Sequence, residues 1–178
     1  MKSRFFVSVL ALFIVASTSE KSYGNLTPVS EEIKKLYFFI GNWKGKATSS
    51  ENGQSQSFDY NMDFKTDAAG WGLLYHENGA IPNAEPYIGF GMVGVDPADN
   101  AVHIFTVSNY GDVHDHKGIW TDGKHISLVY NGKTQGKQMK EELSINYVDA
   151  NTFTFKDVVT IDGQIMQTLN AEMHKTGK

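Results

Sequence analysis

From Ser57 to Lys65 the chain alternates strictly. Phe58, Tyr60, Met62 and Phe64 fall on one face, and Asp59, Asn61 and Asp63 on the other. A period of two marks a strand with one side in a core and the other in water. Shorter runs of the same character predict further strands at about 43–49, 71–79, 86–95, 102–109, 113–121, 125–131, 138–148, 152–161 and 164–174. Turn signals separate them: "DPADN", "NYGD", "TDGK", "NGK", "DAN" and "DG". One segment breaks the rhythm. Ile33, Leu36, Tyr37 and Ile40 recur at helical spacing, so a short helix is expected over about 28–39. Thr27 would cap it, Pro28 would hold its first position, Glu31 and Glu32 would meet the positive end of its dipole, and Gly41 would end it. No second helix is long enough for a parallel crossover. The pattern therefore predicts an all-β, antiparallel, up-and-down barrel of about ten strands with one short N-terminal helix. Closure would remove its exposed edges.

Composition narrows the class. With 178 residues, 40% hydrophobic and 12% aromatic, the chain suits one packed domain. A net charge of −4 with interspersed signs offers no basic stripe, which argues against a nucleic-acid partner. The N-terminus has the three-part form of a secretory signal peptide: Lys2 and Arg4, an apolar run from Phe5 to Ala16, then small residues through Ser19. Residues 1–24 are read as signal peptide and the start of a linker, and residues 25–178 as a single domain. The mature protein is expected outside the cytoplasm, in periplasm or medium, with no membrane span once the signal is removed. It has no cysteine, so its stability must come from core burial without disulfides.

"LYFFIGNWKGKA" places Gly41-x-Trp43 and then Gly45 directly after the helix, and "GFGMVGVDPADNAVHIFTV" follows a strand into Asp96–Pro97. Together these stretches resemble an exported bacterial calycin-like (lipocalin-like) barrel family of unassigned function, over roughly residues 30–174. The resemblance implies a barrel with a cavity and carries no reaction. It implies a structural role for Gly41 and Trp43, with Trp43 closing the barrel end beneath the helix.

Which side chains face the lumen depends on register, because a slip of one residue reverses a strand. Two-residue hairpin loops centred on Tyr110–Gly111 and Asp122–Gly123 would set Val107 opposite His114 and Phe105 opposite His116. Ile104, Leu128, Tyr130, Phe153 and Phe155 then look inward, together with Asp115, Lys117, Glu141 and Asp157. His103, His114, His116 and His125 look outward. On that register no metal site is expected. The outer face would also carry Phe90, Met92, Phe105, Val107 and Trp120, which is much apolar surface for an exterior. Cover by the N-terminal helix, by a partner or by a second copy in a homodimer would explain it. So would a register slip, which would turn the histidines inward and revive a metal site at His103, His114 and His116.

The leading expectation is a binding protein for a small hydrophobic or amphipathic molecule. Tyr60, Phe64, Tyr130, Phe153 and Phe155 would give contact area, Lys117 would hold an anionic head group, and Glu141, Asp157 and Asp115 would complete the polar set. An enzyme using Glu141 and Asp157 as acid and base is the alternative. No nucleophile motif supports it, and Gly89–Gly94 fits Gly-x-Gly-x-x-Gly without the helix a dinucleotide loop needs. Haem would require an inward histidine, for which His174 and His76 are the loose candidates; no cofactor is expected. A third alternative is an interaction module using Phe90, Phe105 and Trp120.

Overall fold

The computed structural model describes residues 28–177, so the expected signal peptide and the Thr27 cap lie outside the described residues. The ten strands are β1 (Gly41–Glu51), β2 (Gln54–Asp67), β3 (Gly72–Gly79), β4 (Tyr87–Asp96), β5 (Ala101–Ser108), β6 (Val113–Trp120), β7 (His125–Thr134), β8 (Lys137–Asp149), β9 (Thr152–Ile161) and β10 (Gln164–Thr176). Each pairs antiparallel with the next in sequence, and β1 pairs with β10, which closes the barrel. No strand edge is left to template another chain. The alternation in β2 buries Phe58, Tyr60 and Phe64 in the lumen, as its pattern required.

Before the barrel lies α1 (Glu31–Lys35), which tightens into a 3₁₀ turn over Leu36–Phe39. Its cap is Ser30, whose hydroxyl accepts the Ile33 N–H, so the helix starts later than the Thr27–Pro28 signal suggested. Ile33, Leu36 and Phe39 are buried against one end of the barrel. Phe39 stacks on Phe64 at 5.1 Å and meets Phe153 edge-on at 5.3 Å. Trp43 is fully buried, donates its indole N–H to the Phe39 carbonyl at 2.6 Å, and carries the Lys175 ammonium over its ring at 5.1 Å. The Tyr37 hydroxyl donates to the Gly70 carbonyl at 2.8 Å, which ties the helix to the β2–β3 connection. Trp43 thus sits in an aromatic plug.

The five hairpins β1–β2, β3–β4, β5–β6, β7–β8 and β9–β10 all turn at the opposite end. Two loops decide the sidedness of the barrel wall. Ser108 closes on Asp112 with its N–H at 3.0 Å from the Asp112 carbonyl, so the β5–β6 loop holds three residues, with Gly111 left-handed at φ 87°. Thr121 closes on His125 at 2.9 Å, again around three residues. Ile104 therefore lies opposite His116, Thr106 opposite His114, and Trp120 opposite Ile126. The first extra residue reverses β6 and the second restores β7. Ile104, Ile126 and Leu128 stay buried, while β6 alone turns over.

Among the described residues no helix is long and apolar enough to cross a membrane.

Candidate functional site

Between the plug and the hairpin ends lies a cavity of about 570 Å³. Phe39 and Phe64 form its floor, and Val93, Ile104, Leu143 and Leu169 much of its wall. Glu51, Gln56, Tyr110 and Asp112 reach it from the hairpin end. Two groups of buried ionisable side chains also interrupt the apolar lining.

The first group spans four strands. β6 contributes His114 and His116, β7 Tyr130, β8 Glu141 and β9 Asp157. His114 Nδ1 stands 2.6 Å from Glu141 Oε2, and His116 Nε2 stands 3.3 Å from the same oxygen. Both are ion-pair distances, yet Glu141 Oε2 and both ring nitrogens of His116 are buried without a well-aligned hydrogen bond, and so is Asp157 Oδ1. The Tyr130 ring stacks on His114 at 4.1 Å between centroids. It can lie there because residue 132 is glycine: a Cβ on Gly132 would stand 2.2 Å from the Tyr130 hydroxyl.

Electrostatics divides the two carboxyls. Burial pushes Asp157 up to about 9, helped by the charge of Glu141 against it, so Asp157 keeps its proton at neutral pH. Burial also works to raise Glu141, but contacts from His114, His116 and Asp157 outweigh it and hold Glu141 well below the usual carboxylate range. Contact with Glu141 raises His114, against its partial burial.

The second group centres on Glu77, which the sequence reading passed over. Its carboxylate accepts the Tyr60 hydroxyl at 2.6 Å and the Tyr87 hydroxyl at 2.9 Å, and burial raises its pKa although both hydrogen bonds lower it. A Cβ at Gly89 would stand 2.4 Å from Glu77 Oε1, so glycine there leaves the carboxylate its room. Tyr75 and Thr106 pair through their hydroxyls nearby. The available signal was the alternation of Leu73, Tyr75 and Glu77 on β3, which sets an acid in an apolar stripe.

Of the residues expected to face a ligand, Tyr60, Phe64, Phe153, Phe155, Glu141 and Asp157 line the cavity. Tyr130 reaches it through its stack on His114. The expectation for Lys117 and Asp115 is corrected. Lys117 is exposed and pairs with Asp99 at 2.8 Å, and Asp115 pairs outside the barrel with His103 at 3.1 Å. The extra residue in the β5–β6 loop is the cause, and it turns His114 and His116 inward by the same movement. His103 stays outside, so the three histidines do not converge. His76 and His174, the candidates for haem, are both exposed on the outer surface. The aromatic patch is also changed: Phe90 is exposed and Phe105 half-buried on the outside, but Trp120 sits on the inner face against the core.

No family model matches the chain, and no curated protein matches it. Solved structures do. Rv2717c from M. tuberculosis is 16% identical and superposes with a TM-score of 0.66, over 84% of this chain and 99% of that one. A protein of unknown function from the DUF3598 family of Nostoc punctiforme is 8% identical with a TM-score of 0.55, over 79% of this chain and 48% of its own. The S-type phycobiliprotein lyase CPES from Guillardia theta is 10% identical with a TM-score of 0.53, over 82% and 93%. The shared fold is a closed antiparallel β-barrel. Identities this low show shared architecture and transfer no activity, so function must be argued from the cavity itself.

Proposed function

We propose that this calycin-type barrel is an exported binding protein that takes one small, mostly apolar molecule into its bore, with a polar end of that molecule against the His114–Glu141 wall. The observation that carries the reading is the cavity: about 570 Å³, largely apolar, with its buried ionisable groups gathered in two places. That volume and lining fit a small-molecule site. Phe155, Leu143 and Leu169 supply apolar contact, and the histidine–carboxylate group fixes orientation. Export rests on the signal-like residues 1–24.

Titration with N-phenyl-1-naphthylamine tests the binding. Saturable fluorescence enhancement at one probe per chain is expected, and Leu169→Trp, which fills the bore, is expected to abolish it. Enhancement that survives Leu169→Trp in a folded variant places the probe elsewhere and defeats the reading. Recovery of the shortened chain from the extracytoplasmic fraction checks export.

A second reading, an enzyme, is favoured by one observation: two buried carboxyls, Asp157 and Glu141, line the same cavity, and burial raises the first while contacts with His114 and His116 hold the second low. Such a division supplies an acid and a base in one site. A screen of nitrophenyl esters, phosphates and glycosides tests it. Turnover must vanish in both Glu141→Gln and Asp157→Asn for the carboxyls to be responsible.

A further inference from the structure

We propose that His114, His116 and Glu141 form a binding site for a divalent first-row transition-metal ion of the zinc or iron(II) type, set in the wall of the cavity. The proposal goes beyond a site for an apolar molecule, because it requires only the ion.

Geometry comes first. One ring nitrogen from each histidine and one carboxylate oxygen of Glu141 all lie within 4.8 Å of one another. Ligands held at about 2.0–2.1 Å on a tetrahedral ion stand about 3.3 Å apart. The separations here, 2.6 Å for His114 and 3.3 Å for His116 from Glu141 Oε2, need only small side-chain rotations to open around an ion. Alternate residues of one strand stand about 6.5–7 Å apart at the backbone. The convergence of His114 and His116 with a carboxylate from β8 is therefore made by the side chains, and is more than a by-product of spacing.

Second, the group is incomplete as it stands. The His116 side chain is 6% exposed, and neither of its ring nitrogens has a hydrogen-bond partner. Glu141 Oε2, the oxygen both rings approach, has none either. Ion pairing of Glu141 Oε2 with both rings draws the three atoms together without giving His116 or that oxygen a well-aligned hydrogen bond. A cation at the shared point satisfies all three atoms together.

Third, the surroundings brace the ligands. Tyr130 stacks on His114, and Asp157 lies against Glu141, the kind of support that holds metal ligands in orientation. Two imidazoles with one carboxylate favour a transition ion over calcium or magnesium, which prefer oxygen. Three protein ligands leave at least one position open toward the cavity, as in sites where an ion meets a small molecule. His103 has no part: it faces away, paired with Asp115.

The test is a calorimetric titration of the chelator-treated, full-chain protein with Zn²⁺ alone, and of the same protein with Co²⁺ followed by visible absorption. One Zn²⁺ per chain with Kd of about 1 μM or tighter is expected, and an intense Co²⁺ spectrum of low coordination number. His116→Asn and Glu141→Gln should each weaken Zn²⁺ by at least about 100-fold, the upper end of what losing a mere supporting residue costs. His125→Asn and His174→Asn, on the exposed surface, should change nothing. Circular dichroism melts establish that each variant is folded, and the Co²⁺ spectrum of the unaltered protein is independent of them. Failure to bind Zn²⁺, a weak octahedral Co²⁺ spectrum, or affinity lost with His125 or His174 in place of His116 would overturn the proposal. The naphthylamine titration is run on metal-free protein, so failure of the ligand reading is seen separately.

Discussion

At the helix end of the barrel, Leu36, Phe39, Trp43 and Phe153 each keep 2% exposure or less, and aromatic rings meet edge to face across the bore. At the hairpin end the same ten strands surround about 570 Å³ and present Glu77, Glu141, Asp157 and two histidines to it. Both ends obey one alternation of side chains along each strand. They differ in what the inward positions carry, and in glycines such as Gly89 and Gly132 that give bulky neighbours room. One end is built for stability, and the other keeps buried polar atoms unmet, a cost that folded proteins concentrate at functional sites.

The largest break in that contrast is Trp43→Ala. Removing a fully buried indole, with its hydrogen bond to Phe39, should cost about 3–5 kcal/mol in a urea melt. Naphthylamine affinity of the remaining folded protein should hold, because Trp43 does not line the cavity. A loss below about 1 kcal/mol would deny the plug its structural role. Gly132→Ala comes next, at about 1–3 kcal/mol, as overpacking usually costs. Its Cβ would force the Tyr130 ring off His114, so it should weaken Zn²⁺ as well as stability. An unchanged melt and unchanged Zn²⁺ affinity would mean that Tyr130 braces nothing.

A third comparison sets pH against stability at Glu77. Burial makes the folded state hold this proton more tightly than the unfolded chain, whose value is about 4.5. Its contribution is complete below that unfolded value and is lost as pH rises through the higher folded one. The wild type should therefore lose stability relative to Glu77→Gln across that window in urea melts at stepped pH. Parallel curves for the two proteins would refute the assigned direction.

The strand positions could be read from the chain to within a few residues, because the alternating stripes in β2, β5, β7 and β9 each have an apolar side that must be buried. β6 has none. Val113, His114, Asp115, His116 and Lys117 put polar groups on both faces, so only the loops could fix its direction. "NYGD" suits a two-residue or a three-residue turn. The choice is made by contacts remote in sequence: Asn109 accepts the Ile88 N–H at 2.8 Å and donates to the Pro86 carbonyl at 2.9 Å, and Tyr110 donates to the Glu85 carbonyl at 2.6 Å. "NGK" misled in a related way. Gly132 signalled a turn but lies within β7, where it makes room for Tyr130, and the turn comes at Gln135–Gly136, both left-handed. The carboxylates of the site were thus legible from their own strands, and its histidines were not.

The smallest expected effect separates the two faces of β6 most sharply. Lys117 had the stronger claim as a ligand group on a two-residue loop, and it lies in solvent with Asp99 at 2.8 Å. An exposed pair of this kind makes at most a marginal difference to stability, and less as salt screens it. Lys117→Ala should shift the urea midpoint by no more than that, and should leave naphthylamine and Zn²⁺ affinities within about twofold, since nothing on the outer face of β6 reaches the bore. His116→Asn, one residue away on the other face, should do the reverse: little change in the melt and a large loss of Zn²⁺. If Lys117→Ala weakened either ligand by tenfold, the three-residue loop would be the wrong reading of residues 109–111, and β6 would have to be turned back.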